Sequence, residues 1–310
     1  MKLFFAPMEG VAHHLFRRAQ AACFHPADEY FMPFICPKNH SLTHRERADI
    51  APENNPGVHA IPQILANDPE PFLWATQMLA DMGYDEVNLN LGCPSSTVVR
   101  KGRGAGFLAD TERLRTFFDE VFTKSPLPVS VKTRLGMSDP AEFEKLLSIY
   151  NHYPLKRLII HPRVREEQYG GQVHLEWFQY AEKESRAPVV YNGDLFTPEK
   201  IRAFDETHPY VSGIMCGRGF LLHPGLYGLV HGEKESVEKL EAFHAMLYEG
   251  YRRNIGTEAF VIMKMKEVWA MLGRGQGLEK KTMKQIHKSS RYDHYEAAVK
   301  AAMEEIASRG

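Results

Sequence analysis

The segment Asn88-Leu-Asn-Leu-Gly-Cys-Pro-Ser-Ser-Thr97 sets a cysteine between a glycine and a proline, directly after an apolar run. Such a run reads as a buried strand, and Pro94 stiffens the turn that presents Cys93. A thiol of ordinary pKa, about 8.5, keeps its proton at neutral pH, so Cys93 is equipped to donate one. Free cysteines are commonly small core residues, but polar neighbours and a strand end favour a site here. Lys132 and Arg134 lie two apart in Val131-Lys-Thr-Arg-Leu-Gly136 and share one side of a regular strand. A lysine so placed stabilises negative charge developing on a bound ring, the alternative being a structural ion pair. His161 ends a further apolar run and is followed by Pro162 and Arg163.

Two glycine-flanked segments, Asn192-Gly-Asp194 and Gly217-Arg-Gly219, follow later strands. Their backbone can approach a phosphate closely, and Arg218 offers a bidentate contact; plain tight turns are the alternative. Between Arg100 and Gly106 the glycines space as G-x-G-x-G, which is not a dinucleotide fingerprint. We read a flexible basic loop near Cys93, with Lys101 and Arg103 able to close on a substrate that carries phosphates. No H-E-x-x-H or paired-cysteine pattern calls for a metal, and no G-x-S-x-G elbow calls for acyl transfer.

These residues need a scaffold that brings distant strand ends together. Eight apolar or β-branched runs recur: Lys2–Pro7, Tyr30–Phe34, His59–Leu65, Glu86–Leu91, Val129–Thr133, Arg157–His161, Val189–Asn192 and Gly213–Cys216. They alternate with helical stretches such as Phe72–Met82, Thr111–Phe122, Ala141–Tyr150, Leu175–Glu184 and Pro198–Asp205. That alternation predicts a closed (β/α)8 TIM barrel, an α/β fold whose strand C-termini form the catalytic face. Glu9, Gln63, Asn90, Cys93, Lys132, Arg134, His161, Asn192, Asp194 and Arg218 all fall at such ends. Past Val230 the reading changes to helices at Ser236–Arg253, Ala259–Leu272, Lys280–Lys288 and His294–Ala307, with Gly273, Gly275 and Gly277 breaking the chain between two of them. We therefore expect a catalytic barrel at 1–235 and an all-helical C-terminal domain at 236–310.

The composition is that of a globular chain, 44% hydrophobic and 25% charged over 310 residues, with a net charge of −1. Ten Lys/Arg against three Asp/Glu lie between Arg252 and Arg291, leaving the rest acidic. The basic stretch, with Trp269 and Tyr292 within or beside it, suits a polyanion, its plainer reading being a solvated helical face. Four scattered cysteines give neither a zinc site nor a disulfide framework, and neither a signal peptide nor a membrane span is apparent, so a reducing cytoplasm is the expected home.

Taken in order, Ala6-Pro-Met-Glu9, Pro62-Gln-Ile64, Asn88-Leu-Asn-Leu-Gly-Cys-Pro94, Val131-Lys-Thr-Arg-Leu-Gly136, Ile160-His161, Asn192-Gly-Asp194 and Gly217-Arg-Gly219 resemble the flavin-dependent tRNA-dihydrouridine synthases. The resemblance implies an FMN-binding barrel with a helical domain that grips tRNA. It implies that Pro7, Met8, Glu9, Gln63, Lys132, His161, Asn192, Gly193, Asp194, Gly217 and Arg218 hold FMN. By the same token Asn90 and Arg134 face the uracil, and Cys93 protonates C5 after hydride reaches C6 from reduced flavin. NADPH or NADH would reload the flavin, and the substrate would be a D-loop uridine of tRNA. Phe260–Trp269 is similar to C-type bacterial members, which implies position 16. The chain is expected to act as a monomer, with no metal and no membrane. His161-Pro-Arg-Val164 departs from the family's usual H-G-R-T, and Cys216 stands where an aliphatic residue is typical, as a packing residue. Two other readings remain open: a flavin barrel acting on a free pyrimidine or another small conjugated compound, and a non-catalytic RNA-binding barrel.

Overall fold

The computed structural model describes residues 1–254 and 256–309. Its strands are β1 Leu3–Phe5, β2 Glu29–Phe31, β3 in two pieces (Ala60–Ile61 and Gln63–Ile64), β4 Val87–Leu91, β5 Val129–Arg134, β6 Leu158–His161, β7 Val189–Tyr191 and β8 Gly213–Cys216. Every neighbouring pair is parallel, and β1 lies between β8 and β2. The ring closes through β3, whose first piece pairs with β2 and whose second pairs with β4. Pro62 makes the interruption, because it has no N–H to give the ladder. Its carbonyl still accepts the Asn88 N–H at 2.9 Å. The expected barrel is the one that forms. Its second strand is shorter than Tyr30–Phe34 and begins one residue earlier, and the third is split where the sequence places its proline.

Alternation along the strands sorts the side chains. Leu89, Leu91, Val131, Leu158 and Ile160 face outward into the large apolar layer beneath the helices. Phe4, Ala6, Phe31, Ile61, Ile159, Val190 and Met215 form a separate cluster that fills the barrel interior. Below that cluster Arg157 is buried between the Glu29 and Glu86 carboxylates, its guanidinium 5.3 Å from the Phe4 ring and 5.6 Å from Phe31. A cation buried this deeply requires paired carboxylates, and here two meet it. Above the cluster the inward positions turn polar at Gln63, Asn90 and Lys132.

The outer helices match expectation to within a few residues at Pro69–Asp81, Thr111–Lys124, Glu142–Tyr150, Leu175–Glu184 and Pro198–Thr207. A helix at His44–Ile50 was not anticipated. It is fixed by a capping box in which Thr43 accepts from the Glu46 N–H and the Glu46 carboxylate accepts from the Thr43 N–H.

Four helices follow the barrel: Val237–Asn254, Glu258–Gly275, Lys280–Lys288 and Tyr292–Ala307. The first packs antiparallel on His14–Cys23, with Phe243 5.3 Å from Phe16 and the Tyr251 hydroxyl 2.7 Å from His13 Nε2. Gly273 does not break the second, contrary to expectation; the helix runs through it and ends at Gly275. A Cβ at Gly275 would strike the Leu222 backbone, and one at Gly273 the Met283 sulfur, so these glycines serve close packing. The turn comes at Gly277, where φ is +65°. Trp269 is fully buried and donates to the Tyr295 hydroxyl at 3.0 Å, so it is a core residue and not part of a basic surface. Among the described residues no helix is long and apolar enough to cross a membrane.

Candidate active site at the barrel mouth

Pairing register explains why the polar residues converge. Asn88 lies opposite Ser130, Asn90 opposite Lys132 and Arg134 opposite His161, so their side chains share the interior side of adjacent strands. Asn90, Lys132, Arg134 and His161 open into a cavity of about 370 Å³, within the size range of sites for compact organic ligands. Its walls contain every residue expected to hold a cofactor: Pro7, Met8, Glu9, Gln63, Lys132, His161, Asn192, Gly193, Asp194, Gly217 and Arg218. Asn90, Cys93 and Arg134 line it too. Lys101 and Arg103 do not. Arg103 is turned to Cys36 Sγ at 2.9 Å and to Asn67 Oδ1 at 3.2 Å.

Asn90 is committed to the turn that carries Cys93. Its Oδ1 accepts the N–H groups of Gly92 at 3.1 Å and Cys93 at 2.9 Å, while its Nδ2 donates to Gln63 at 2.7 Å. The Cys93 carbonyl accepts the Ala105 N–H at 3.1 Å, and a Cβ on Gly104 would stand 2.9 Å from that same carbonyl. The glycine-rich segment is therefore packed as a short 3-10 helix against Cys93, not the free loop its composition suggested. Burial pushes the Cys93 thiol above its ordinary pKa, and the nearby Arg134 charge only partly opposes this. The thiol holds its proton at neutral pH.

Lys132 donates to Asn192 Oδ1 at 2.5 Å, and Asn192 in turn donates to the Met215 carbonyl at 2.8 Å. Desolvation first, and the Arg134 charge second, bring the Lys132 amine down to about 7. An ammonium held there without a carboxylate lacks an anionic partner, which a bound electron-poor ring or phosphate would supply. Burial holds His161 well below its ordinary pKa, with Arg134, Lys132, Arg163 and Arg218 all adding to the effect. Arg163 donates to His161 Nε2 at 3.2 Å, so the neutral ring carries its hydrogen on Nδ1.

Sequence reading left out four parts of the site. Arg163 donates to the carbonyls of Gly170 and Gly171 at 2.9 and 2.8 Å and to both oxygens of Asp194 at 3.1 and 2.5 Å. Asp194 also accepts from Arg218 at 2.6 Å, so its carboxylate positions two arginines. Tyr169, 57% exposed, sits 5.4 Å from the Arg134 guanidinium and 5.5 Å from that of Arg218. Phe196 backs Arg218 at 4.5 Å, and Pro33 and Phe34 complete the wall opposite. The loop carrying Tyr169 reads only as polar and glycine-rich, so nothing in its pattern marks the ring as part of a site.

At the mouth Gly217 leaves no space for a side chain, since a Cβ would lie 2.7 Å from the Met8 sulfur. Cys216 is buried beside it with its thiol pushed up to about 12, which makes it an inert packing residue. A group held in this cavity would meet the Lys132 amine near the middle of the mouth, and an anionic end would be met by Arg218. Among the described residues no cluster of His, Cys, Asp and Glu is arranged to hold a metal.

The family model described as dihydrouridine synthase (Dus) matches residues 4–310. tRNA-dihydrouridine synthase B of Pasteurella multocida (strain Pm70) is 27% identical over 242 residues, 76% of this chain and 71% of that protein. A probable tRNA-dihydrouridine synthase of Staphylococcus epidermidis (strain ATCC 12228 / FDA PCI 1200) is 30% identical over 264 residues, 80% of this chain and 78% of that one. Among solved structures, morphinone reductase has a TM-score of 0.54 at 11% identity, covering 78% of this chain and 88% of its own, a likeness of fold.

Proposed function

The chain belongs to the dihydrouridine synthase family, and from that premise we propose that it is an FMN-dependent oxidoreductase that reduces a uridine of tRNA to 5,6-dihydrouridine. The observation that carries the reading is the convergence of Cys93, Lys132, His161 and Arg218, from four separate strand ends, on one cavity. Bound FMN supplies hydride to C6 of the uracil after reduction by NADPH or NADH.

The protein's own residues supply position and charge. Arg218, aimed by Asp194 and braced on Phe196, would hold the phosphate of FMN together with the backbone at Gly193 and Gly217. Lys132 would offset negative charge on the flavin ring. Asn90 holds the Cys93 turn through Gly92 and Cys93, and the Cys93 thiol delivers its proton to C5. Arg134 is anchored by the carbonyls of Gly92 and Val164 at 2.9 and 3.1 Å, which leaves its remaining N–H groups and its face for the uracil. The small-substrate reading finds no use for the basic helices after the barrel. Our reading includes a division near residue 235, a D-loop target at position 16, and a monomer at work in the cytoplasm.

Incubating the purified protein with unmodified tRNA and NADPH is expected to yield one dihydrouridine per tRNA. Reduction of free uridine without reduction of tRNA would move the reading to the small-substrate enzyme. Arg218→Ala is expected to lower flavin retention after gel filtration by at least tenfold, the worth of about one charge-assisted phosphate contact. Flavin content equal to wild type would remove Arg218 from the phosphate site.

A further inference from the structure

The helix Glu258–Gly275 leaves two large apolar side chains in the open, Phe260 at 47% exposure and Met263 at 41%. Three residues apart, they form one ridge on the same helical face. The topology fixes where this ridge stands. His14–Cys23 descends from the barrel mouth, because the residues just before it, Met8 and Glu9, line the cavity. Val237–Asn254 runs antiparallel to it and ends upward, with Tyr251 on His13. Glu258–Gly275 then descends again, its last residue, Gly275, packing on the Leu222 backbone. Phe260 and Met263 therefore stand at the rim end of their helix, on the side of the mouth where Glu9 pairs with Arg45 at 2.8 Å. Arg45 and Glu267 both lie within Coulombic reach of the Tyr251 hydroxyl, which ties the ridge's helix to that rim.

Cations surround the ridge. Arg252 and Arg253 end the preceding helix in exposed positions, and Lys288 and Arg291 close the later turn at the same level. Arg252 lies 4.9 Å above the ring of Tyr292, whose N–H is held by Glu258, so the two rim turns are joined. Arg252 pairs with Glu249 at 3.2 Å and Arg291 with Asp293 at 3.5 Å, yet all four cations are exposed on the turns beside the ridge. Exposed apolar side chains next to exposed cations fit one partner chemistry, a nucleic acid whose stacked bases have been opened. We infer that Phe260, with Met263 beside it, is the wedge that supports the RNA stack from which the target uridine is extruded into the cavity. The inference rests on the functional reading above. Extrusion leaves a neighbouring base with one bare face, and an aromatic ring restores that stacking without regard to sequence. Phe260 is thus a positioning residue; it touches neither the flavin cavity nor the reacting atoms.

Flavin-loaded Phe260→Ala is expected to lose roughly ten- to hundredfold in kcat/KM for unmodified tRNA, the range that removal of one stacking contact produces. Flavin content and melting temperature should equal those of wild type, and Phe260→Trp should restore the rate. With a tRNA carrying 2-aminopurine beside the uridine that wild-type enzyme reduces, the probe should stay quenched under the ring when bound to wild type and Phe260→Trp, and brighten when bound to Phe260→Ala, where its bared face is left open. Undiminished rate together with a probe as quenched as in wild type would, in Phe260→Ala, overturn the inference. So would a change in the sedimentation of RNA-free enzyme on Phe260→Lys, which would mark the ridge as a contact between copies of the chain. Failure of wild type to form any dihydrouridine would instead overturn the functional reading beneath it.

Discussion

Cys93→Ala is expected to retain FMN and yet lose roughly 10²- to 10⁴-fold in dihydrouridine formation, the usual contribution of a positioned general acid. The thiol lines the cavity, but the flavin contacts proposed here come from Lys132, Arg218 and the turns at Gly193 and Gly217, none of which this substitution disturbs. Asn90 grips the backbone N–H groups of Gly92 and Cys93, so the turn keeps its shape when the side chain shrinks. The pH dependence follows in sign. Burial raises the thiol's pKa, so the proton-bearing form persists throughout the neutral range, and the rate falls only as pH climbs through that raised value. Wild type should show this alkaline limb, and Cys93→Ala should lack it. Single-turnover reaction of the pre-reduced protein with unmodified tRNA, followed by flavin absorbance, measures both quantities. Wild-type turnover in the alanine variant would discard Cys93 as the acid.

Arg163→Met should be the most damaging single change in structural terms. The side chain is 1% exposed and binds two loop carbonyls, both oxygens of Asp194 and the imidazole of His161. Methionine fills the volume but satisfies none of these groups. Asp194 is one-third exposed and keeps Arg218, so the main cost is the loop carbonyls left without a donor, about 3 kcal/mol, which here corresponds to a fall in Tm of roughly 5 °C. Flavin retention should fall with it, because Asp194 loses one of the two arginines that fix its orientation and so aims Arg218 less well. Arg163→Lys should not rescue the defect, since an ammonium cannot span the fork-shaped set of acceptors. Differential scanning calorimetry together with flavin content tests this, and a Tm within a degree or two of wild type would show that the loop is held by something else.

How far the sequence could be read depended on whether a residue's partners were near it in the chain. The strands were visible because runs buried on both faces are continuous, although the third was read as one run, His59–Leu65, across the Pro62 that splits it. The His44–Ile50 helix carried its own signature in Thr43-His-Arg-Glu46. The ten residues read from strand ends, and the further flavin contacts that the family resemblance implied, reached one cavity. Arg103 did not, because its orientation depends on Cys36 and Asn67, which lie far away in sequence. Trp269 looked like a stacking residue within a basic stretch, yet helical phase places it with Met265 and Leu272 on the buried side. Gly273 and Gly275 were taken as breakers, since only the packed neighbours Met283 and Leu222 reveal that the missing Cβ is what matters. The loop after His161 was opaque for the same reason. Arg163 binds Gly170, Gly171 and Asp194 only after folding, and Tyr169 takes its place through them.

The ion cluster at the foot of the barrel has a kinetic consequence. With Arg157 locked between Glu29 and Glu86 under a floor of Phe4 and Phe31, the described residues close the chamber at its foot and leave it open at the mouth. The nicotinamide and the nucleic acid must enter through that same opening, and the wide, rigid polyanion blocks it while engaged. The two half-reactions are thus forced to alternate, the spent electron donor leaving before the RNA can take its turn.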